Sequence, residues 1–400
     1  MKAEREVVVV EAVRTAVGKL GGALKDFQAE ELASVVIKSL IDKTKIDVSI
    51  LDEVVFGQAR QSTDAPNMAR IAALRSGIPE EVPAYTVMMQ CASGLQAVNC
   101  GAESILCGNT DVVIAGGTES MSNAVFYLRN ARYGFGVGNG VLVDSLTEGQ
   151  VRSQPQDIYG VFNMGMTAEN VAEQCSISRE AQDVFANESQ NKADAAIKSG
   201  TFADEIVPVT IPQKKGEMRV FDVDEHPRLT SLDKLASLKP VFKEGGSVTA
   251  GNSSGRNDGA SAVLMMSSEK AKEMGIKPLA VLKGFAAAGV NPKVMGLGPV
   301  IAVENVLRRL SMKLDDIDLV ELNEAFAAQS LGCINMLGLD QSKVNVNGGA
   351  IALGHPLGSS GCRILVTLIH EMRRRKKKYG LATLCVAGGM GVADVVEAVY

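Results

Sequence analysis

The chain has 400 residues and a formal net charge of −5 at pH 7, and hydrophobic residues make up 46% of it. This composition is typical of a packed globular protein with two or three domains, and it argues against a disordered chain. The negative charge argues against a nucleic-acid site spread over the surface, and no apolar run is long enough to span a bilayer.

The first ten residues, MKAEREVVVV, lack a secretory pattern, and the final EAVY is not a peroxisomal address. The seven cysteines show no paired spacing such as CxxC. We therefore expect a protein of the reducing cytoplasm whose cysteines are free thiols.

In the first 121 residues, short apolar runs alternate with segments of helical periodicity. Such alternation predicts a mainly parallel sheet that is covered on both faces. The predicted strands are 6–13, 51–56, 85–89 and 111–117, and the predicted helices are 29–41, 65–76 and the segment that follows residue 91.

Residues 85–108, YTVMMQCASGLQAVNCGAESILCG, pass from a strand into a helix, and Cys91 lies at the turn. Free N–H groups and the positive dipole at a helix start stabilise a thiolate. We therefore expect a lowered pKa and a nucleophilic role for Cys91. A small buried structural cysteine is the alternative.

Between residues 122 and 250 the alternation stops and polar loops predominate, such as residues 127–140 and 147–159. One helix, Arg179–Lys198, is predicted between a Ser178 N-cap and a glycine. A loop-rich insertion of this length after a sheet indicates a binding surface.

From residue 278 the first pattern returns, and the Ala-Gly-Gly triplet of residues 115–117 recurs at 387–389. We infer an internal duplication, which would bring Cys91 and the glycine-rich turn near His355 to one pocket. The predicted strands are 279–285, 319–322, 344–347 and 383–389, and the predicted helices are 324–337 and 362–375.

Three histidines are present. His355 lies in GGAIALGHPLGSSG, and a histidine held on such a loop can act as the base for a thiol. A loop histidine with no such role is the alternative. His226 is expected in a turn or at a ligand, and His370 on the solvent-exposed side of its helix.

Two further residues do not indicate catalysis when each is taken alone. Asn323 stands at the start of a predicted helix, where an N-cap asparagine is ordinary. Cys385 ends a buried strand, where a core cysteine is the simplest interpretation.

Five blocks of sequence together resemble the thiolase family, in the family's order and spacing along essentially the whole chain. They are QCASGLQA at Cys91, VTAGNSSG at Ser254, LNEAFAAQ at Asn323, GGAIALGHPLGSSG at His355 and LCVAGGMG at Cys385. The resemblance implies an α/β fold of duplicated thiolase halves in a layered α-β-α-β-α core with an inserted loop domain. The halves would be residues 1–121 with 251–277 and residues 278–400, and residues 122–250 would bind coenzyme A.

The resemblance also implies catalytic roles. Cys91 would be the nucleophile, His355 would take its proton, and Cys385 would be the second acid or base. Asn323, through a water, would form one oxyanion hole with His355. The backbone N–H groups of Cys91 and Ala387 would form the other.

For the substrate, the resemblance implies that Arg228, Ser254 and Met164 contact coenzyme A. Met164, Met295 and Phe326 would line the acyl pocket. No metal or redox cofactor is implied.

Some positions depart from the family pattern. Asn163 stands where short-chain members commonly have histidine, Arg256 where an apolar residue is usual, and Ala387 where glycine is usual. The segment 144–162 is longer than in compact short-chain members.

The implied activity is that of an acetyl-CoA C-acetyltransferase, which interconverts two acetyl-CoA with acetoacetyl-CoA and CoA through a cysteine acyl-enzyme. A 3-ketoacyl-CoA thiolase of fatty-acid degradation, with broader chain length, is the alternative. Asn323 in place of a histidine argues against a ketoacyl-carrier-protein synthase, and the full catalytic set argues against a non-catalytic CoA-binding protein. A homodimer or homotetramer is also implied, with residues 127–140 as an assembly loop and no nucleic-acid or membrane partner.

Overall fold

The computed structural model describes residues 5–400. The first four residues belong to the predicted N-terminal half and to the segment that lacks a secretory pattern, and they lie outside the described residues. Within the described part of the chain, no helix is both long enough and apolar enough to cross a membrane.

The first 120 residues alternate strands and helices, as predicted. The elements are β1 (Val7–Thr15), β2 (Gly18–Lys19), α1 (Ala29–Thr44), β3 (Glu53–Gly57), α2 (Met68–Arg75), β4 (Ala84–Val87), α3 (Ser93–Leu106) and β5 (Val112–Ser120).

The segment that follows is made of short strands and helices joined by loops. The elements are β6 (Phe126–Leu128), β7 (Leu142–Asp144), α4 (Ser145–Val151), α5 (Gln156–Tyr159), α6 (Met164–Gln174), α7 (Arg179–Lys198), β8 (Ile206–Val207), β9 (Val209–Pro212), β10 (Met218–Phe221) and α8 (Leu232–Ala236). Helix α7 has the predicted bounds, because the Ser178 side chain accepts the Ala181 N–H at 3.2 Å and so caps the helix start.

The remaining residues complete the first half and build the second. The elements are β11 (Asn257–Ser267), α9 (Ser268–Glu273), β12 (Ala280–Gly289), α10 (Gly298–Leu310), β13 (Leu319–Leu322), α11 (Ala327–Leu337), α12 (Ala350–Leu353), α13 (Leu357–Arg375), β14 (Tyr379–Val386) and β15 (Met390–Ala398).

The strand order confirms the internal duplication. The first half runs β4-β3-β5-β11-β1, and the second runs β13-β14-β15-β12 in the same sense. An isolated bridge between Val320 and Val344 stands where β4 stands in the first half. Strands β1 and β12 join the halves edge to edge.

The prediction of a mainly parallel sheet is wrong. The pairs β3–β4, β3–β5 and β13–β14 are parallel, but β11 and β15 run antiparallel to both of their neighbours. Strand β15 follows β14 after a three-residue turn, and so short a connection permits only an antiparallel pair. Strand β11 enters the sheet from the long insertion, and the alternation of the first 120 residues carries no information on its direction.

The predicted layers are confirmed. Helices α3 and α13 pack on each other between the halves, and their apolar side chains form one cluster with strands of both halves. A second cluster lies beneath α1 and α2, and a third beneath α10 and α11. Strand β1 reads VVVV because both of its faces are buried: Val8 and Val10 face the outer cluster, and Val7 and Val9 face the central one.

Several predicted boundaries are corrected. The helix predicted at 324–337 begins at Ala327, because the buried Glu324 side chain accepts hydrogen bonds from Ser189 and Asn345 and holds its own backbone outside the helix. The strand predicted at 344–347 is reduced to the bridge at Val344. The helix predicted at 362–375 begins earlier, at Leu357.

The two halves meet through glycines at the first turns of α3 and α13. A Cβ atom at Gly117 would lie 2.0 Å from the Gly358 carbonyl oxygen, and one at Gly94 would lie 2.6 Å from the same atom. Side-chain carbons do not approach an oxygen so closely, so these positions require glycine. Because α3 follows Cys91 and α13 follows His355, this contact sets the distance between the two segments.

We expect Gly117→Ala to lower the free energy of unfolding by roughly 1–3 kcal/mol, because the added methyl group overpacks a backbone contact. Urea unfolding measures the change. Gly289→Ala is the matched control, because its Cβ would be 3.9 Å from the nearest atom at an unstrained φ. Equal unfolding free energies for the two variants would contradict the assignment.

Candidate active site

Cys91 lies in one turn of 3₁₀ helix, Gln90–Ala92, that leads directly into α3. The Ser93 hydroxyl fixes this turn, since it accepts the Met89 N–H at 2.9 Å and donates to the Gln90 carbonyl at 2.7 Å. Gln90 has a φ of 49°, a left-handed conformation that is uncommon for a residue other than glycine. The prediction that Cys91 stands at a strand-to-helix turn is confirmed.

The electrostatic prediction for Cys91 is wrong. Burial raises the pKa of its thiol, and the neighbouring groups reduce the rise without reversing it. The N–H groups of Ala387 and of Cys91 itself act against this rise, as does the charge of Arg60, whereas Glu119 adds to it. Desolvation of the thiolate therefore outweighs the helix-start effect. Cys91 at rest is therefore a thiol, and it would need a base to become a thiolate.

His355 presents a neutral imidazole with a free acceptor nitrogen. The Ser360 hydroxyl donates to the Pro356 carbonyl at 2.9 Å, so it accepts the Nδ1–H of His355 across their 2.6 Å contact. Nε2 is buried and has no hydrogen-bond partner among residues 5–400. Burial, assisted by the charge of Arg363, lowers the pKa of His355 to about 3. An imidazolium would thus form only together with a thiolate beside it.

Asn257 holds the backbone of His355 in place. Its Oδ1 accepts the His355 N–H at 2.9 Å, and its Nδ2 donates to the Gly18 carbonyl at 2.9 Å. A Cβ at Gly354, where φ is 102°, would lie 2.5 Å from Asn257 Cγ. The glycine before His355 is therefore required by the contact with Asn257.

Cys385 is completely buried near the end of β14. It packs with Met295 and Ala325, and Met164 and Phe326 border this cluster. Burial is the first cause that raises the pKa of Cys385 well above its usual value, and the charge of Cys91 is the second. The two cysteines therefore lie close enough to interact.

Asn323 is buried at the end of β13, and neither atom of its side-chain amide has a partner among the described residues. Both backbone polar groups of Asn323 are hydrogen-bonded: its N–H donates to the Thr383 carbonyl at 3.0 Å, and its carbonyl accepts the Ala325 N–H at 3.1 Å. A buried amide without hydrogen bonds is costly in a purely structural residue. The N-cap interpretation of Asn323 is wrong, because α11 begins four residues later.

Ala387 begins the turn between β14 and β15. Gly388 and Gly389 have φ values of 96° and 89°, whereas Ala387 is not in the left-handed region. An alanine at this position is therefore compatible with the backbone, and its N–H still acts to lower the pKa of the Cys91 thiol.

Cys91, His355 and Ala387 line one inner cavity of about 190 Å³. The side chains predicted for the acyl pocket line the same cavity, namely Met164, Met295 and Phe326. Cys385 and Asn323 are not among the lining residues. Cys385 packs against Met295, which is a lining residue.

A wider groove of about 660 Å³ adjoins the inner cavity, and residues 253–256 with Phe242 line both. The described lining of the groove has four cationic side chains and no carboxylate; the cations are Lys19, Arg228, Lys234 and Arg256. Arg228 and Ser254 thus line the groove where coenzyme A is expected. Met164 lines the inner cavity instead.

The other two histidines have different surroundings. His226 lines the groove, its Nδ1 is 3.3 Å from Asn257 Nδ2, and burial together with Arg228 lowers its pKa to about 4. The prediction that His370 is solvent-exposed is wrong. Its Nε2 is 2.8 Å from the Ala12 carbonyl, because α13 is packed between the halves.

Comparison with known proteins identifies the family. Residues 7–269 match the family model "Thiolase, N-terminal domain", and residues 276–398 match "Thiolase, C-terminal domain". The chain belongs to the thiolase family.

Individual relatives align along nearly the full length. The acetyl-CoA acetyltransferases of Chromobacterium violaceum and Cupriavidus necator are each 52% identical over 393 residues, which cover 98% of this chain and 99% of theirs. The solved structure of the Bacillus anthracis acetyl-CoA acetyltransferase has a TM-score of 0.96 at 46% identity and 100% coverage of both chains. That of human mitochondrial 3-ketoacyl-CoA thiolase has a TM-score of 0.94 at 44% identity and 99% coverage of both.

The departures of this thiolase from its family pattern have structural explanations. The Asn163 side chain caps α6 by accepting the Met166 N–H at 3.0 Å, and it does not line the inner cavity. Arg256 lies where groove and cavity meet. Against the effect of burial, hydrogen bonds from Thr147 and Leu146 lower the pKa of Asp144, and the charge of Arg256 adds to this lowering. The segment 144–162 forms α4 and α5, and Gln150 of α4 lines the cavity.

Sequence reasoning missed three residues of this thiolase site. Arg60 and Gln90 line the inner cavity, and Asn257 supports His355. Gln90 adjoins Cys91 in the sequence, and Asn257 follows a glycine-rich turn, so the sequence contained a feature that could have pointed to each of these residues. No such feature marked Arg60, because it follows a strand that is distant in sequence from every block of the resemblance.

We expect the His355 ring to stay neutral, with its proton on Nδ1, from pH 8 down to pH 5. Its pKa is lowered, so the folded protein takes up no proton here where an unfolded histidine, with a pKa near 6.5, would. Stability contributed by this residue accordingly decreases as the pH falls below about 6.5. NMR of the imidazole ring, with His226→Gln and His370→Gln for assignment, measures the charge of the His355 ring and the position of its proton. A His355 titration midpoint near 6.5 would contradict the assignment.

Proposed function

We propose that this thiolase is an acetyl-CoA C-acetyltransferase, which catalyses the reversible Claisen condensation of two acetyl-CoA to acetoacetyl-CoA and CoA. The chain is an acyltransferase of the thiolase family. The observation that carries the short-chain assignment is the inner cavity of about 190 Å³, walled by Met164, Met295 and Phe326. It is small beside the roughly 300–1,000 Å³ of typical ligand pockets.

In the first half-reaction, Cys91 attacks the thioester carbonyl while its proton passes to Nε2 of His355. That nitrogen is the available acceptor, because Nδ1 already donates to Ser360. The backbone N–H groups of Cys91 and Ala387 stabilise the oxyanion. The imidazolium then protonates the departing CoA thiolate, and an acyl-enzyme remains on Cys91.

In the second half-reaction, the Cys385 thiol first passes its proton to Nε2 of His355, which is neutral again, and the Cys385 thiolate then removes a proton from the methyl carbon of acetyl-CoA. The resulting enolate attacks the acyl group on Cys91, and the departing Cys91 thiolate takes the proton back from the imidazolium. The strongly raised pKa of Cys385 makes its thiolate a strong base for a carbon acid and its thiol a suitable proton donor in the cleavage direction. Asn323, through a water, and His355 supply the oxyanion site for this step. The buried unbonded amide of Asn323 supports that assignment.

Coenzyme A lies in the outer groove in this proposal. The cationic lining, which includes Arg228 and Lys234, suits the phosphate groups. Ser254 stands where the groove joins the cavity, beside the expected path of the pantetheine. The proposal involves no metal or redox cofactor.

A 3-ketoacyl-CoA thiolase of broader chain length is the second candidate. The similarity to the human mitochondrial 3-ketoacyl-CoA thiolase, at a TM-score of 0.94, favours it. Met164 is also only partly buried, and methionine side chains adapt readily to a ligand. Movement of Met164 would lengthen the cavity.

A homodimer or homotetramer is part of the proposal. The hairpin of β6 and β7, which contains the predicted assembly loop at 127–140, supports it by exposing apolar side chains such as Tyr133, Val137 and Val141. Light scattering that returned a monomer at micromolar concentration would contradict this part. The division into halves and a loop domain, and the cytoplasmic location, stay predictions.

Steady-state thiolysis of 3-ketoacyl-CoAs of increasing chain length tests the function. We expect acetoacetyl-CoA to have the highest kcat/KM, with a loss of roughly 10–200-fold for each added unit that the fixed cavity excludes. Comparable values for acetoacetyl-CoA and 3-ketohexadecanoyl-CoA would replace the first candidate with the second. Absence of thiolysis with every substrate would refute both.

Two variants control this assay. Cys91→Ala should abolish turnover because it removes the nucleophile. Cys107→Ala should retain it, because Cys107 is an exposed free cysteine outside the inner cavity.

A further inference from the structure

Arg60 follows β3 and lines the inner cavity together with Cys91. Its Nη1 donates to Gln90 Oε1 at 3.0 Å and to the Ala59 carbonyl at 3.4 Å. Its Nε is buried and has no partner in the part of the chain that the structure describes. The guanidinium thus hydrogen bonds to neutral oxygens, and its charge acts on both the Cys91 thiol and the buried Glu119 carboxylate.

The position of Arg60 is built from several elements. The buried Glu119 carboxylate accepts the N–H groups of Ala59, Arg60 and Gly358 at 2.9–3.1 Å, which ties the Arg60 backbone to β5 and to α13. On the other side, a Cβ at Gly149 would lie 2.9 Å from Arg60 Cζ, so α4 closes directly over the guanidinium. A side chain enclosed in this way is not a mobile surface arginine.

The contact of Arg60 with Gln90 reaches the nucleophile turn. Gln90 holds a left-handed φ of 49° immediately before Cys91. Such a conformation persists only where its surroundings enforce it. The hydrogen bond from Arg60 to the Gln90 side chain is one of those restraints, and the Ser93 hydroxyl on the Gln90 carbonyl is another.

We propose that Arg60 is a positioning residue for the nucleophile, which holds the Gln90 turn and places a fixed positive charge beside the Cys91 sulfur so that the thiolate forms more readily. The proposal rests on the proposed role of Cys91 as the nucleophile. It assigns to this chain a cation that neither the sequence blocks nor the resemblance indicated.

Among the charged groups around Cys91, Arg60 is the one that favours a thiolate there. Glu119 disfavours a thiolate at Cys91, and His355 is neutral at rest. Arg256, the other cation that lines the cavity, stands where the cavity joins the groove and is not among the groups that shift the pKa of Cys91. Arg60 is the side chain whose charge acts on the thiol against the effect of burial.

The test is the rate of Cys91 alkylation by iodoacetamide as a function of pH, with peptide mass spectrometry to select the Cys91 product. For Arg60→Met we expect the alkylation midpoint to move up by roughly one pH unit, the lower end of the effect of a neighbouring opposite charge. Below the midpoint, the rate constant at pH 8 should fall about tenfold, because only the thiolate reacts. Arg60→Lys should recover most of this loss, since it keeps the charge.

Arg75→Met is the matched control, because Arg75 is an exposed arginine whose partner, Glu31, is also at the surface. The pH profile of Cys91 alkylation in Arg75→Met should equal that of the unmodified protein. An unchanged profile in a folded Arg60→Met protein would overturn the proposal. If that variant does not fold, Arg60→Gln, which keeps hydrogen-bond donors without the charge, takes its place and is judged by the same criterion. Alkylation needs no acyl substrate, so a shifted profile in a protein without thiolysis would refute the proposed function and leave the role of Arg60 intact.

Discussion

The approach of two backbones at Gly117 and Gly358 is the constraint on which the site depends. Each half of the duplicated fold carries one segment of the candidate site at the start of a central helix, Cys91 before α3 and His355 before α13. These helices bring the segments to a common cavity because Gly94 and Gly117 let the Gly358 carbonyl come within a distance that a side chain would forbid. The close packing of the two halves therefore also sets the distance between Cys91 and His355 in the cavity.

The same packing determines the charge state of the site. Burial is the largest cause of the pKa shifts of Cys91, His355 and Cys385, and in each case it favours the neutral form. The resting site thus holds two thiols and a neutral imidazole. Charge appears only when a proton moves, and the backbone N–H groups of Cys91 and Ala387 favour the thiolate form of Cys91 when it does.

Much of this could be predicted from the sequence, because the repeated strand–helix pattern and the blocks at Cys91 and His355 are local signals. What failed depends on tertiary structure. The direction of β11, the pKa shift of Cys91 and the partial burial of His370 each depend on neighbours from distant segments. Arg60 was missed for the same reason, since its role is set by contacts with α4 and the Cys91 turn.

The central claim is that Cys91 carries the acyl group while Cys385 performs the carbon–carbon chemistry. Incubation with acetyl-CoA, followed by quenching and peptide mass spectrometry, tests it most directly when the unmodified protein and Cys385→Ser are compared. The account predicts acetyl on Cys91 in both proteins, with condensation and thiolysis reduced by roughly 10²-fold or more in the variant, the scale of general acid–base catalysis. Acetyl on Cys385, or an equal loss of acylation and condensation in Cys385→Ser, would contradict it.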